Sequence, residues 1–200
     1  MLAHVTAALI AGGQSKRFGS PKQFAGYGDR RLIDYALDIV QSISRDAIII
    51  SNDNNHFSDA QLPVYSDLVK NCGPLGGIYT ALYYAREKWV AVLPVDMPLL
   101  NLKIYRMLYP SCNADKPVVA CSHKGLEPLV SIWPVSVLPY LKLQIEEQDF
   151  RLYYLLKKLQ AIEINFASLP DYEHHWFENI NYKKDIKSLE NSVNFAKRII

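Results

Sequence analysis

The stretch "LIAGGQSKRFGSPKQF", Leu9 to Phe24, decides how the rest of the chain is read. The apolar run "VTAALI", Val5 to Ile10, stops just before Gly12 and Gly13, and Lys16, Arg17 and Lys22 follow. A short run apolar on both faces suits a strand buried inside a covered sheet. Glycine has no Cβ, so the backbone after it can take positive φ and bring its N–H groups close to a ligand. Consecutive amides in such a turn make an anion-binding concavity, and the three cations add full charges beside it. The combination suits a triphosphate. The loop lacks the GxGxxG of dinucleotide-binding dehydrogenases and the GxxxxGK[ST] of P-loop NTPases. The same residues would also serve as a mobile surface turn with solvated lysines.

Outward from this loop, short β-rich runs alternate with segments of helical period. Leu32, Tyr35, Ala36, Ile39, Val40 and Ile43 recur at i, i+3, i+4 spacing and predict a helix over Leu32 to Ile43. "AIIIS" (Ala47 to Ser51) and "WVAVLPVD" (Trp89 to Asp96) read as strands, with a helix from Gly76 to Arg86 between them. Strands flanked by helices indicate an α/β protein: three Rossmann-like layers, a mostly parallel sheet with helices on both faces. Ligands of such sheets bind at the carboxyl ends of the strands. Those ends lead into the loops Ala11–Lys22, Ser51–Phe57, Tyr65–Gly77 and Val95–Leu100. The second half predicts strands at Pro117 to Cys121, Pro128 to Trp133 and Ala161 to Phe166. Helices are expected at Val135 to Glu147, Asp149 to Leu159 and Lys183 to Lys197. No linker or repeat interrupts the chain, so 1–200 is read as one domain, with a nucleotide-binding half (1–100) and an acceptor-binding half (101–200).

A formal charge of +2 with no long run of like charges excludes a chain-wide attraction to nucleic acid or anionic lipid. Three cysteines, none at CxxC spacing, give no disulfide framework or zinc site and fit a reducing, cytoplasmic setting. No stretch approaches the ~20 apolar residues that span a bilayer.

Asp96 ends a buried strand at the edge where the glycine loop begins. A carboxylate there could hold Mg²⁺ against bound phosphates, because Mg²⁺ takes one or two carboxylates plus phosphate and water oxygens. It could instead cap the next helix, with Pro98 in the first turn. "SDLVKNCGPLGGI" sets Asp67 ahead of a proline–glycine turn and a helix start, itself a favourable anion site. "ISNDNNHF" offers Asn52 and Asn54, whose amides both donate and accept and could meet a base edge. In "FENINYKKDI", two-residue alternation puts Asn179 and Asn181 on one face of an extended segment and Ile180 on the other.

AGG-x3-R-F-G-x-P-K after the first strand resembles the signature of nucleotidyltransferases that activate small phosphorylated substrates. It is similar above all to the molybdenum cofactor guanylyltransferases (MobA-like nucleotidyltransferases), whose pattern is roughly LAGGxSxRMGxDK. The elements D-x5-GPLxG, "PVDMP", "EPL" and, with Tyr182 in place of its Ser or Thr, F-x-N-x-N-[ST]-x-x-[DE] follow in that family's order. The resemblance implies a nucleotidyltransferase fold and transfer of GMP from GTP to the terminal phosphate of molybdopterin, with loss of pyrophosphate. It assigns Lys22, Arg17 and Asp96 to catalysis and Asp96 to Mg²⁺. It places Leu9, Ala11, Gly12, Gly13, Lys22, Asn52 or Asn54, Asp67 and Gly73 around the nucleotide, and Glu127, Asn179 and Asn181 around the acceptor. GTP and molybdopterin are the implied partners, with molybdenum-insertion and molybdoenzyme chaperone proteins beyond them. Phe18 stands where the family has methionine. Pro21 stands where it has aspartate, and "PKQ" is closer to cytidylyltransferases of similar fold. CTP as donor, or a sugar or polyol phosphate as acceptor, therefore stays open, as does a nucleotide sensor without turnover.

Overall fold

The computed structural model describes residues 1–12, 18, 22–53, 57–113 and 115–197. Gly13, Arg17 and Asn54 therefore lie outside the described residues, as do Lys16 and Pro21.

A seven-stranded sheet organises the molecule. In chain order its strands are β1 (Val5–Ile10), β4 (Ala47–Ile50), β5 (Val64–Tyr65), β6 (Trp89–Pro94), β7 (Val118–Ser122), β8 (Gly125–Pro134) and β9 (Ile162–Asn165). The short strands β2 (Gly26–Tyr27) and β3 (Arg30–Arg31) form a separate antiparallel hairpin. The spatial order is β5-β4-β1-β6-β8-β7-β9. β1 pairs in parallel with β4 and β6, β4 with β5, and β7 with β9, whereas β8 runs antiparallel to both β6 and β7.

Side chains alternate between the two faces of a strand, so one sheet can feed two cores. Val5, Ala7 and Leu9 of β1 pack with Ile33, Ala36 and Val40 of α1 (Leu32–Ile43), and with Ile104 and Leu108 of α3 (Leu102–Leu108). Ala8 and Ile10 face the other way. They meet Leu75 and Ile78 of α2 (Pro74–Tyr84), Leu141 of α4 (Leu138–Glu146) and Leu155 of α5 (Leu152–Lys158). This is the expected three-layer, mostly parallel architecture. A third, smaller cluster joins Phe18, Tyr27, Leu32, Ile180 and Leu189, the last from α6 (Lys183–Lys197).

Several boundaries differ from expectation, for local reasons. α2 starts at Pro74, not Gly76, because proline at the first turn forfeits an N–H that has no partner there anyway. Pro139 likewise sets the start of α4, after a 3₁₀ turn over Val135–Val137. Asp149 precedes α5 and accepts a bond from the Arg151 N–H (3.1 Å), holding the turn before that helix. β8 begins at Gly125, ahead of Pro128, and a register shift opposite Val119/Ala120 absorbs the irregularity. Among the described residues, no helix is long and apolar enough to cross a membrane.

The parallel pairings bring the site together. Ile10 is level with Ile50 and Pro94, and Ile50 with Tyr65. The chain thus leaves β1, β4, β5 and β6 at one edge of the sheet. β8 runs the opposite way, so its first residues, Glu127 among them, enter at that same edge.

Candidate active site

A cleft of about 600 Å³ opens along this edge. β1 and the turn after it contribute Ile10 and Gly12, the β4 loop Asn52, the segment before α2 Asp67, Lys70, Asn71 and Gly73, and β6 with the turn after it Pro94, Val95 and Asp96. Lys22 and Leu129 close the sides.

Lys22 opens a short 3₁₀ turn (Lys22–Phe24), and its Nζ donates to Asp96 Oδ2 at 2.6 Å. Both side chains are largely withdrawn from solvent, 17% and 20% exposed, so their attraction is screened less than at the surface. Nζ also donates to Asn181 Oδ1 at 3.3 Å. Asp96 caps no helix. α3 begins at Leu102 behind Asn101, and the Asp96 carbonyl instead accepts from the Ile180 N–H at 2.8 Å. Of the two readings of this aspartate, the geometry leaves the one facing the cleft.

Asn52 and Asp67 hold one another. Asn52 Nδ2 donates to Asp67 Oδ2 at 2.8 Å, and the Asp67 N–H donates to Asn52 Oδ1 at 3.1 Å. Each end of the amide makes one of these bonds, and both residues line the cleft. Behind it, the Leu68 N–H donates to Thr80 Oγ1 at 3.0 Å and tethers this loop to α2.

Gly73 caps α2 at φ +57° and ψ −146°, a backbone conformation essentially confined to glycine. The turn aims the amino end of α2 at the cleft, where the helix carries partial positive charge. Gly77 lets the helix approach β1, since a Cβ there would sit 3.1 Å from Ile10 Cγ2. Cys72 is buried beside this turn. Burial first, then Asp67, pushes its thiol up, which agrees with packing and not chemistry.

Glu127 accepts from Ser122 Oγ at 2.7 Å. Burial is the main cause that raises its carboxyl, and Glu178 and Asp96 add to the rise; the Ser122 bond and Lys124 act the other way. Lys124 is itself paired with Glu178 at 2.7 Å.

Lys22, Asp96, Gly12, Asn52, Asp67 and Gly73 meet in the cleft as the sequence reading expects. The side chains of Leu9 and Ala11 are buried, Leu9 within the sheet with no exposed surface and Ala11 just ahead of Gly12, and Ile10 between them lines the cleft floor. Asn179 and Asn181 separate: Asn181 faces Lys22, whereas Asn179 lines another recess with His175 and Glu178. Sequence reasoning passed over Lys70, a cation in the cleft wall beside the glycine turn, and Asn71, whose φ of +64° suits asparagine. Their signal was their place in the loop before GPLGG. Lys22 to Asn181 had none.

A cleft at the carboxyl edge of a mostly parallel sheet, with a helix start, cations and two carboxylates converging on it, lies where α/β proteins of this class bind their ligands. The family model described as the MobA-like NTP transferase domain matches residues 7–162, and the chain belongs to that family. Among its relatives, the "Probable molybdenum cofactor guanylyltransferase" of Aquifex aeolicus (strain VF5) is 30% identical over 184 residues, 92% of this chain and 89% of that protein. The protein of the same description from Bacillus subtilis (strain 168) is 30% identical over 199 residues, 95% and 96% of the two chains. The crystal structure of molybdopterin-guanine dinucleotide biosynthesis protein A from Archaeoglobus fulgidus shares the fold. Its TM-score is 0.79 at 22% identity, over 94% of this chain and 98% of that one.

Proposed function

We propose that this protein transfers GMP from GTP to the terminal phosphate of molybdopterin, releasing pyrophosphate and forming the guanine dinucleotide cofactor. The observation that carries the reading is the Lys22–Asp96 contact inside the cleft of a MobA-like domain. A phosphate oxygen of the acceptor attacks the α-phosphorus of GTP, and the bond to the β-phosphate oxygen breaks as pyrophosphate leaves. Such transfers need alignment and charge neutralisation more than covalent help from the protein. Lys22 offsets negative charge on the phosphates, and the amino end of α2 adds partial positive charge on the other wall. Asp67, braced by Asn52, supplies an acceptor for donors on the nucleotide. Glu127 stands on the acceptor side at the start of β8.

The donor set fits a magnesium ion. Asp96 offers a hard carboxylate in the cleft, and Mg²⁺ draws its other oxygens from phosphate and water, so it needs no cluster of protein ligands. Among the described residues no three His, Cys, Asp or Glu side chains are grouped for a metal. When bound, Mg²⁺ would lower the charge on the phosphates and fix their orientation.

The test is incubation of pure protein with molybdopterin, Mg²⁺ and either GTP or CTP, followed by mass spectrometry of the product. The guanine dinucleotide is expected. Product with CTP alone overturns the guanine assignment, and tight nucleotide binding without product points to a sensor.

A further inference from the structure

The two asparagines of "FENIN" part company in the fold. Asn179 lines a recess beside His175 and Glu178, whereas Asn181 Oδ1 lies 3.3 Å from Lys22 Nζ. Three contacts set the position of Asn181. Its own N–H and that of Tyr182 donate to Asp185 Oδ2 at 2.9 and 2.8 Å, a carboxylate-held turn ahead of α6. The preceding N–H, from Ile180, donates to the Asp96 carbonyl at 2.8 Å. The Ile180 side chain is fully buried in the cluster with Phe18 and Leu189. The segment carrying Asn181 is thus fastened to the residue whose carboxylate holds the lysine.

We infer that Asn181 is a positioning residue for Lys22, acting on the nucleotide side of the reaction and not as a ligand of the acceptor; this rests on the function proposed above. A lysine is a point charge on a flexible four-carbon stem. A neutral amide oxygen among its acceptors helps to fix the direction of that stem without adding negative charge, so the cleft keeps its attraction for phosphate. Asn181 is exposed, and its structural bonds run through the backbone, so alanine at this position leaves the turn before α6 intact.

The experiment is a double-mutant cycle read by titration of a fluorescent ribose-labelled GTP analogue with Mg²⁺ and no acceptor. Wild type, Asn181→Ala, Lys22→Met and the double variant are compared, and melting curves are recorded for each. Asn181→Ala is expected to weaken binding about tenfold, the scale of one hydrogen bond to a charged group. In the Lys22→Met background the same change is expected to have no effect. An equal loss in both backgrounds, or no loss in either, overturns the assignment. Wild-type protein that binds no guanine nucleotide overturns the proposed function as well, whereas normal wild-type binding without coupling overturns this inference alone.

Discussion

Lys22 Nζ lies 2.6 Å from Asp96 Oδ2, although 74 positions separate the two in the chain. Lys22 stands at the far end of the loop after β1, and Asp96 follows β6, the parallel neighbour of β1. Sheet pairing therefore delivers a cation and a carboxylate into direct contact in one crevice.

Asp96→Asn keeps the size and a carbonyl oxygen for Lys22 but removes the charge. We expect Mg²⁺-dependent pyrophosphate release to fall by a factor of roughly 10² to 10³, the range for losing one preorganised electrostatic contact. Unfolding should stay cooperative, with stability lowered by no more than about 2 kcal/mol. Unchanged release would remove Asp96 from the reaction.

Gly73 and Gly77 separate two roles of glycine in the same turn. Among the described residues, chain neighbours apart, no atom lies within 4 Å of a Cβ built on Gly73, so Gly73→Ala is expected to act through its positive φ, at about 1–3 kcal/mol in chemical denaturation. Gly77→Ala has an ordinary helical backbone but presses on Ile10 Cγ2 at 3.1 Å. It should push α2 away from the cleft floor and weaken GTP binding more than it lowers stability.

Glu127 gives a pH dependence with a definite sign. Burial raises its carboxyl above the ordinary glutamate value, so the folded chain holds this proton to higher pH than the unfolded chain does. Stability attributable to Glu127 is therefore highest below the unfolded value and declines as pH climbs through the raised, folded one. Glu127→Gln should abolish that decline, and the gap between variant and wild type in urea denaturation should widen from acid to neutral pH. A constant gap would count against it.

Ile180→Ala removes a fully buried side chain from the cluster that joins Phe18 to α6. The cluster is small and peripheral, so the loss should fall at the low end of core truncations, about 2–3 kcal/mol by denaturant unfolding. Because Asn181 is the next residue, nucleotide affinity should fall with it.

Much of the first hundred residues was legible in the chain. β1 and the body of β6 are marked by continuous apolar runs, α1 by helical periodicity, and the glycine turn before α2 by a conformation essentially confined to glycine. α3 was missed because seven residues, two of them Lys103 and Arg106, make barely two turns of the helical pattern. The β2–β3 hairpin was missed because two-residue strands carry no alternation to read.

The sequence by itself determined the strand–helix succession, the buried runs and the chemical character of each loop, since these depend on residues a few positions apart. It left Asp96 between helix cap and cleft wall, and it set Asn179 and Asn181 side by side. Tertiary structure decided both and brought Asn52 against Asp67, because strand direction and neighbour order determine which distant loops share an edge. Lys22 and Asn181, 159 positions apart, meet only when the last segment is folded back over the end of β6.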